Sequence, residues 1–246
     1  MSKLKGKVAL VTGGSRGMGA AICERLAHEG ADVALTYNRS ENQAYEVAEA
    51  VERFGRRGLA LRADSRDPEA VKSSIEKTVK QLGKIDILVN NAGVFNVKAI
   101  DALTLEDYRE TMDTNVRAAF VASKAAAEHM GEGGRIISIG SNLAEHAIMP
   151  GLSLYSMSKA ALTGFTKGLA RDLGQRKITV NVVHPGSTNT TMNPADGEFS
   201  DAQRSAMCIP RYAEPGDIAG LVSWLASEEA RCITGAGITM DGGTNA

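Results

Sequence analysis

The alternation of short apolar runs with longer amphipathic tracts limits the fold of this chain more than any other feature of its sequence. The apolar runs read as strands at residues 8–11, 32–37, 59–61, 85–89, 135–139, 178–183 and 237–240. The amphipathic tracts read as helices at residues 20–29, 41–54, 68–82, 105–130, 154–173 and 215–226. Strands that alternate with helices pair in parallel through right-handed crossovers. The sequence therefore predicts an α/β fold with a doubly wound, seven-stranded parallel sheet and helices on both faces.

Length and charge narrow the class of protein further. No linker, repeat or low-complexity segment divides the 246 residues, so we expect a single domain. With 28 basic and 29 acidic residues, no global field favours a nucleic acid or a membrane surface as partner. Three scattered cysteines match no metal spacing, and the first residues lack the apolar core of a signal peptide. We expect a cytoplasmic protein without a structural metal.

A glycine-rich string, Gly13-x3-Gly17-x-Gly19, lies directly between the first predicted strand and the first predicted helix. Glycines at such a turn let backbone N–H groups approach a pyrophosphate at the N-terminus of the helix. The string differs from the commoner Gly-x-Gly-x-x-Gly spacing. Its strand–turn–helix context nevertheless favours a dinucleotide site over a purely structural turn.

The end of the second predicted strand indicates which dinucleotide the site prefers. An NAD-selective site places an acidic residue there to bind the adenosine ribose. This chain instead continues Asn38-Arg39-Ser40, and Arg16 lies within the glycine string. Guanidinium groups suit a 2′-phosphate, so the sequence predicts NADP as cofactor, with NADPH preferred over NADH. The alternative for Arg39 is a solvated loop residue.

Tyr155 and Lys159 are four residues apart, so on a helix they share one face. A phenol has a reference pKa of about 10 and exchanges protons poorly near neutrality. A nearby positive charge favours the phenolate and lowers that pKa toward the working pH, which makes the pair a candidate acid–base unit. Taken alone, such a pair is more often ordinary surface decoration.

Together these motifs resemble the short-chain dehydrogenase/reductase family, in its classical subgroup, over nearly the whole chain. Further matching pieces follow in the family's order: Asp64, Asn90-Asn91-Ala92-Gly93, Asn115, Ser141, Asn181, Pro185-Gly186-x3-Thr190 and Asp241-Gly242-Gly243. The resemblance implies one three-layer Rossmann-fold domain over residues 1–246. Its cofactor-binding half would be roughly residues 1–130 and its catalytic and substrate-binding half roughly residues 131–246, with a lid at residues 188–211.

The resemblance also implies which residues hold the cofactor. Asp64 and Ser65 would contact the adenine, and the residues after Gly186 would hold the nicotinamide carboxamide and the phosphates. The implied cofactor-binding residues are Gly13, Ser15, Arg16, Gly17, Met18, Gly19, Asn38, Arg39, Ser40, Asp64, Ser65, Asn91, Ala92, Gly93, Tyr155, Lys159, Pro185, Gly186, Thr188 and Thr190.

Four residues would carry the chemistry by the same resemblance: Asn115, Ser141, Tyr155 and Lys159. Tyr155 would exchange a proton with the substrate oxygen, and Ser141 would hydrogen-bond that oxygen. Lys159 would lower the pKa of Tyr155 and bind the nicotinamide ribose, and Asn115 would locally disturb the long helix and hold a water near Lys159. The family usually places its serine one residue closer to the tyrosine, where this chain has Asn142. Ser141 ends a predicted strand and is the first choice, with Asn142 as the alternative.

The implied activity is NADPH-dependent interconversion of a ketone or aldehyde with a secondary alcohol. The chain resembles 3-oxoacyl-(acyl carrier protein) reductases and NADPH-dependent ketone reductases, and mixed charge in the lid favours a general carbonyl reductase over one dedicated to an acidic carrier. The alternative is a nucleotide-binding regulatory or sensor protein that retains the fold. The family's habit and the small residues at 118–119 and 125–127 predict a homotetramer.

Overall fold

The computed structural model describes residues 2–246. Its strands are β1 (Val8–Val11), β2 (Asp32–Tyr37), β3 (Gly58–Arg62), β4 (Ile87–Asn90), β5 (Arg135–Ile139), β6 (Thr179–Pro185) and β7 (Gly237–Met240). They pair in parallel in the order β3-β2-β1-β4-β5-β6-β7. The predicted seven-stranded parallel sheet is therefore confirmed.

Helices cover both faces of the sheet. They are α1 (Gly17–His28), α2 (Glu41–Arg53), α3 (Pro68–Leu82), α4 (Leu105–Met112), α5 (Ala118–His129), α6 (Ser153–Leu173), α7 (Ser200–Ser205) and α8 (Pro215–Ala226). One core packs α1, α2 and α8 on the sheet, with Leu26 and Val222 fully buried. The other packs α3, α5 and α6 on the opposite face, around Ile75 and Ile136. This three-layer arrangement is a Rossmann fold.

The strand order reverses direction between β1 and β4. From β1 the chain moves outward through β2 to β3, and from β4 it moves the other way to β7. The loops that follow β1 and β4 therefore diverge to opposite faces and leave a crevice at the carboxyl edge of the sheet. Ligands bind at such switch points in open α/β sheets, so this edge is where a site is expected.

The long helical tract predicted at residues 105–130 is interrupted. Between α4 and α5 the backbone forms a π-helical turn over Asp113–Arg117. A turn of this kind adds a residue to the helix, and such turns are frequent at functional sites. Asn115, which we expected to disturb this helix locally, lies within the turn and is buried.

Several element boundaries differ by one to three residues from the sequence-based expectation, and two of them lie next to the crevice or the sheet centre. Helix α1 begins at Gly17 rather than at residue 20, so the last glycines of the string form its first turn. Strand β4 begins at Ile87 rather than at residue 85, because the carboxylate of Asp86 turns back and accepts the Val8 N–H at 2.8 Å. Among the described helices, none is long and apolar enough to cross a membrane.

Candidate active site

Close contacts shape the loop between β1 and α1 and leave no room for side chains. At Gly13, where φ is +64°, a Cβ atom would lie 3.0 Å from Ala92 Cα. At Gly19, a Cβ atom would overlap the Gly13 carbonyl oxygen and lie 2.6 Å from Asn91 Nδ2. The loop therefore packs directly on the segment after β4, and its backbone N–H groups open the N-terminus of α1.

The side chain of Asn91 fastens this loop. Its Nδ2 donates to the carbonyl oxygens of Thr12 at 2.9 Å and Gly13 at 3.0 Å. In return, the backbone N–H groups of Asn91 and Ala92 donate to the Thr12 hydroxyl at 3.0 and 3.1 Å. The amide of Asn91 is thus engaged in shaping the loop, which leaves the backbone of residues 91–93 as the part that faces the crevice.

Two arginines stand free beside the crevice. Arg16, before the first turn of α1, and Arg39, just after β2, are both exposed. Within residues 2–246, neither guanidinium makes a hydrogen bond or an ion pair, whereas Arg66 after β3 is paired with an acidic side chain. Ser15 and Met18 flank the glycine string half-buried, and Ser40 precedes α2. Two unpaired cations near a helix N-terminus form a strongly anion-attracting corner.

An acidic residue just after β3 forms an ion pair with a nearby arginine. The carboxylate of Asp64 accepts two hydrogen bonds from the Arg66 guanidinium, at 2.8 and 3.2 Å, and Ser65 follows half-buried. Hydrogen bonds from Arg66, with a further one from Asn38, hold the pKa of Asp64 at about 2. Sequence reasoning missed Arg66, because nothing in the local pattern distinguishes it from a solvated arginine.

A buried amine lies on α6, close to the end of β5. Lys159 on α6 is 5% exposed, and its Nζ donates to the Ile139 carbonyl oxygen at 2.9 Å. Burial lowers the pKa of Lys159 to about 8. An ammonium has three donors, so two remain for other acceptors. A Cβ atom on Gly93 would lie 3.4 Å from Lys159 Nζ, which places the segment after β4 directly over the amine.

Tyr155 lies one turn before Lys159 on the same helix, with the amine 5.9 Å from the centre of its ring. Burial raises the pKa of Tyr155, and the interaction with the Ser141 side chain opposes that rise. The expected lowering of the Tyr155 pKa by Lys159 is therefore wrong for the chain by itself. The amine interacts with the Ile139 carbonyl oxygen, while desolvation disfavours the phenolate.

Ser141 and Asn142 face different partners at the end of β5. The Ser141 oxygen accepts the Leu143 N–H at 3.2 Å, which leaves its O–H to donate, and the side chain interacts with Tyr155. Asn142 instead turns to the C-terminus, where its Nδ2 is 3.5 Å from an Asp241 carboxylate oxygen and its carbonyl oxygen accepts from Asn245 at 2.9 Å. The structure brings Ser141, and not Asn142, together with the tyrosine.

The π-helical turn places the Asn115 side chain beside Gly93, close to Lys159. Its Oδ1 accepts the Val94 N–H at 2.8 Å, and its Nδ2 donates to the Val94 carbonyl oxygen and to the Ser158 hydroxyl, both at 3.0 Å. The Asn115 amide thus fixes the segment after Gly93 against α6. Its side-chain groups are satisfied by protein partners, so any water that it holds near Lys159 must use the main chain of the turn.

The segment after β6 folds over the glycine loop from the other side. The contact is close: Thr190 Cγ2 lies 3.5 Å from where a Cβ of Gly17 would be, and a Cβ on Gly186, after Pro185, would lie 2.6 Å from Asp241 Cα. Thr188 is buried and bonds back to the Gly186 carbonyl oxygen at 3.1 Å. The chain therefore surrounds the crevice with residues from both halves.

Residues 188–211 are organised around one amide, that of Gln203 on α7. Its Oε1 accepts from the hydroxyls of Ser187 and Tyr212, which stand at the two ends of the segment. The same amide exchanges hydrogen bonds with Asn193, at 3.0 and 3.2 Å. Sequence reasoning did not identify Gln203, since no spacing signals such a junction.

An aromatic side chain missed by sequence reasoning borders the tyrosine. Phe95 is 42% exposed, and its ring meets Tyr155 edge-on with centroids 4.8 Å apart. Its neighbour Val97 packs against Gly151, whose carbonyl oxygen accepts the Lys98 N–H at 3.0 Å. The approach to the Tyr155 hydroxyl is therefore partly apolar.

Comparison with known proteins gives the family. A family model described as enoyl-(acyl carrier protein) reductase matches residues 13–245. A short-chain dehydrogenase from Burkholderia cenocepacia J2315, solved in complex with NADP, is 56% identical with a TM-score of 0.98, covering 99% of this chain and 100% of that chain. The cyclic-di-GMP-binding biofilm dispersal mediator protein of Escherichia coli is 41% identical, covering 98% of each chain. Hydroxynaphthalene reductase arp2 of Aspergillus fumigatus is 39% identical, covering 94% of this chain and 90% of that protein.

The matched ranges include the glycine loop, the switch-point crevice, the buried Ser141 and Lys159 and the half-buried Tyr155, because the matches run almost end to end. The resemblance drawn from the motifs is thereby confirmed, and the chain belongs to the short-chain dehydrogenase/reductase family of oxidoreductases.

Proposed function

We propose that this protein is an NADPH-dependent oxidoreductase that interconverts a ketone or aldehyde with a secondary alcohol. The observation that carries the proposal is the convergence of Ser141, Tyr155 and Lys159 at the crevice edge, beside a loop in which most glycines have no room for a Cβ atom. A hydroxyl donor, a protonated phenol and a buried cation at one point suit proton transfer to an oxygen that becomes negative.

The crevice fits a dinucleotide. The glycine loop offers backbone N–H groups at the N-terminus of α1, where a pyrophosphate is favoured. Lys159 keeps two free donors beside Gly93, and a side chain there would fill the space next to the amine. Ser15, Met18 and Thr190 would border the phosphates, and Pro185, Gly186 and Thr188 the nicotinamide. The NADP complex of the Burkholderia cenocepacia relative supports the same cofactor here.

The adenosine end supports NADP over NAD. No acidic side chain ends β2, while Arg16 and Arg39 are exposed and have no protein partner within the described residues. Asn38 and Ser40 lie beside them, and Asp64 with Ser65 and Arg66 would border the adenine. A 2′-phosphate would neutralise the two arginines, whereas the two hydroxyls of NAD would not.

Cofactor preference is tested by titrating each nucleotide. We expect NADPH to bind at least several-fold more tightly than NADH, and loss of Arg16 or Arg39 by substitution with Ala to weaken NADPH binding about 10-fold or more. Arg53→Ala, on the exposed side of α2, is the matched control and should leave both affinities unchanged. Equal or tighter binding of NADH by the wild-type protein contradicts this part of the proposal.

In the reduction direction, bound NADPH would supply the hydride that reaches the carbonyl carbon. Tyr155 donates its proton to the oxygen as negative charge develops there. Ser141 donates its free O–H to the same oxygen. Lys159 provides positive charge beneath the site and donors for ribose hydroxyls, and the turn at Asn115 would hold a water that returns a proton from solvent.

The substrate is proposed to carry an apolar or aromatic group beside its carbonyl. Phe95 stands edge-on to Tyr155, and Val97, Ile148 and Met149 expose apolar surface around the loop that contains Gly151. Residues 188–211 would close over the substrate as a lid. Arg204 of that segment is held by Asp201 at 3.0 Å, so it is not free to bind an acidic carrier protein.

The activity is tested by following NADPH consumption with aryl ketones, alkyl ketones, quinones, acetoacetyl thioesters and an enoyl thioester. We expect the fastest turnover with aryl or alkyl ketones. Preferential reduction of the enoyl thioester would place the reaction at a carbon–carbon double bond and overturn the carbonyl assignment.

A second candidate function is a nucleotide-binding regulator. The observation that favours it is the 41% identity to the cyclic-di-GMP-binding mediator protein of Escherichia coli. Calorimetric titration with cyclic di-GMP, beside the substrate panel, separates the two. Tight binding of the dinucleotide with no turnover on any carbonyl would favour the regulator.

An oligomer is also proposed, formed through the outer face of α4, α5 and α6. That face exposes Tyr108, Phe120 and Met157, and the rings of Phe120 and Phe165 lie 5.9 Å apart across a shallow apolar groove. Aromatic side chains on such a face are typical of subunit interfaces. Light scattering is expected to give a homotetramer, and Phe120→Glu to give smaller species.

A further inference from the structure

A neutral histidine lies beneath the reactive serine. His184 on β6 is 1% exposed. Its Nδ1 lies 3.2 Å from the backbone nitrogen and 3.0 Å from the backbone oxygen of Ser141, while its Nε2 lies 3.4 Å from the Thr163 hydroxyl of α6. The ring therefore spans from the end of β5 to the helix that carries Tyr155 and Lys159.

Two glycines beside β6 leave room for the His184 ring. A Cβ atom on Gly140 would overlap His184 Nδ1 and lie 2.8 Å from its Cε1. On the other side, a Cβ atom on Gly237 would lie 3.2 Å from Nε2. Neither glycine has a positive φ, so backbone conformation does not require glycine at these positions. Glycine is needed at both positions because the His184 imidazole occupies the space that a Cβ atom would fill.

The histidine works as a neutral connector. Burial has the largest effect and lowers its pKa, the backbone of Ser141 and the charge of Glu145 oppose this, and the charge of Lys159 adds the smallest effect in the lowering direction. A neutral imidazole has one donor nitrogen and one acceptor nitrogen. In either tautomer, one nitrogen binds the Ser141 backbone and the other binds the Thr163 hydroxyl, so both ends are held at once.

We propose that His184 is a positioning residue, which fixes the Ser141 backbone relative to α6 so that the serine hydroxyl meets the oxygen bound by Tyr155. The inference rests on the proposed reductase function. It assigns to His184 no contact with substrate or cofactor, and it predicts that the effect of His184 passes through Ser141.

The test is a double-mutant cycle on carbonyl reduction. We expect His184→Leu to lower kcat about 10- to 100-fold, because a misplaced hydrogen-bond donor loses much of its contribution. The NADPH dissociation constant should change little, and the melting temperature should fall by a few degrees, because the Ser141 backbone and the Thr163 hydroxyl lose a buried partner. In the Ser141→Ala background, the same substitution should have almost no further effect. His184→Asn, which keeps an amide group near the position of Nδ1, should recover part of the rate.

Controls separate this inference from the proposed function. His129→Leu, exposed at the end of α5, should leave kcat unchanged. Should His184→Leu fail to fold, Thr163→Val removes the partner of Nε2 and should lower kcat in the wild-type background only. Equal losses in both backgrounds would assign His184 a general structural role and overturn the inference. Full activity of Ser141→Ala alone would instead refute the proposed role of the serine.

Discussion

The two sides of the crevice are constructed on opposite principles. The loop after β1 works through backbone and through the absence of side chains, and a Cβ atom at Gly13 or Gly19 would collide with the neighbouring segment. The cluster at Ser141, Tyr155 and Lys159 works through side chains, and burial raises the pKa of Tyr155 and lowers that of Lys159. The space available for a side chain therefore limits substitution at the loop glycines, whereas charge and desolvation determine how the cluster works. Substitutions at the loop glycines should reduce cofactor binding, and substitutions in the cluster should reduce turnover.

The largest effect is expected on the charged side. Tyr155→Phe removes the proposed proton donor and preserves the ring that meets Phe95. Positioned proton transfer contributes about 10²–10⁴-fold, so kcat should fall by that factor. NADPH affinity, followed by fluorescence titration, should stay close to that of the wild type. Tyr108→Phe, on the exposed face of α4, is the control. Full activity of Tyr155→Phe would show that the cluster does not act through proton donation by this residue.

The loop side should lose binding instead. Gly19→Val forces a side chain against the Gly13 carbonyl oxygen and the Asn91 amide. Overpacking costs roughly 1–3 kcal/mol, which corresponds to about 5- to 150-fold in NADPH affinity if the loop is displaced. Turnover at saturating NADPH should be affected much less.

A glycine on α6 provides the matched control for this substitution. Gly164 has no atom within 4 Å of its Cβ position, so Gly164→Ala should leave NADPH affinity unchanged. It should also stabilise the helix by up to about 1 kcal/mol. If Gly19→Val binds NADPH as well as Gly164→Ala does, close backbone approach is not what the loop provides.

A smaller effect is expected on the free energy of unfolding, which should depend on pH through Lys159. The pKa of Lys159 falls from 10.5 to about 8 on folding, so the unfolded chain binds more protons between those two values. Stability must then rise with pH across that window. At neutral pH, Lys159→Met should be more stable than the wild type by about 1–3 kcal/mol, because the cost of the buried charge exceeds the lost hydrogen bond.

This advantage should shrink as the pH rises from about 8 toward 10.5, where the wild-type amine becomes neutral. Denaturant unfolding of both proteins at several pH values measures this difference in the free energy of unfolding. Titratable groups that the two proteins share contribute equally to both and cancel. An advantage that stays constant with pH would mean that the lysine carries no buried charge in the folded protein.

The smallest effect is expected at Asp64, which is partly exposed. Its pKa of about 2 is below the unfolded value, so the ion pair with Arg66 contributes stability above pH 3.8 that is lost as the pH falls through 2. Solvent screening limits this contribution to about 1 kcal/mol or less. Asp64→Asn should therefore melt nearly as the wild type does at neutral pH. A loss of several degrees would indicate that the adenosine side depends on charge as strongly as the catalytic side.

Sequence reasoning was most successful where a local pattern determines the structure. Period and length placed all seven strands, and the glycine string gave the turn before α1, because these depend on the backbone and on near neighbours. The Tyr155 pKa could not be predicted in the same way. The charge of Lys159 is visible in the sequence, but the burial that outweighs it depends on packing between distant elements.

The structural roles that sequence reasoning did not predict follow the same rule. Asn91 holds the glycine loop, and His184 lies under Ser141, through contacts between residues far apart in the chain. The π-helical turn at Asn115 was expected only through the family resemblance, since no residue there breaks a helix. The choice of Ser141 over Asn142 likewise depended on a partner near the C-terminus, Asp241.

The junction at Gln203 has a kinetic consequence. Because one amide oxygen binds both Ser187 and Tyr212, which border residues 188–211, a displacement of Gln203 releases both ends of the segment at once. Small groups of residues that share their stabilising contacts open together as one cooperative unit. Amide protons across the segment should then exchange with solvent at a common rate, and access to Tyr155 would be switched between two states rather than graded.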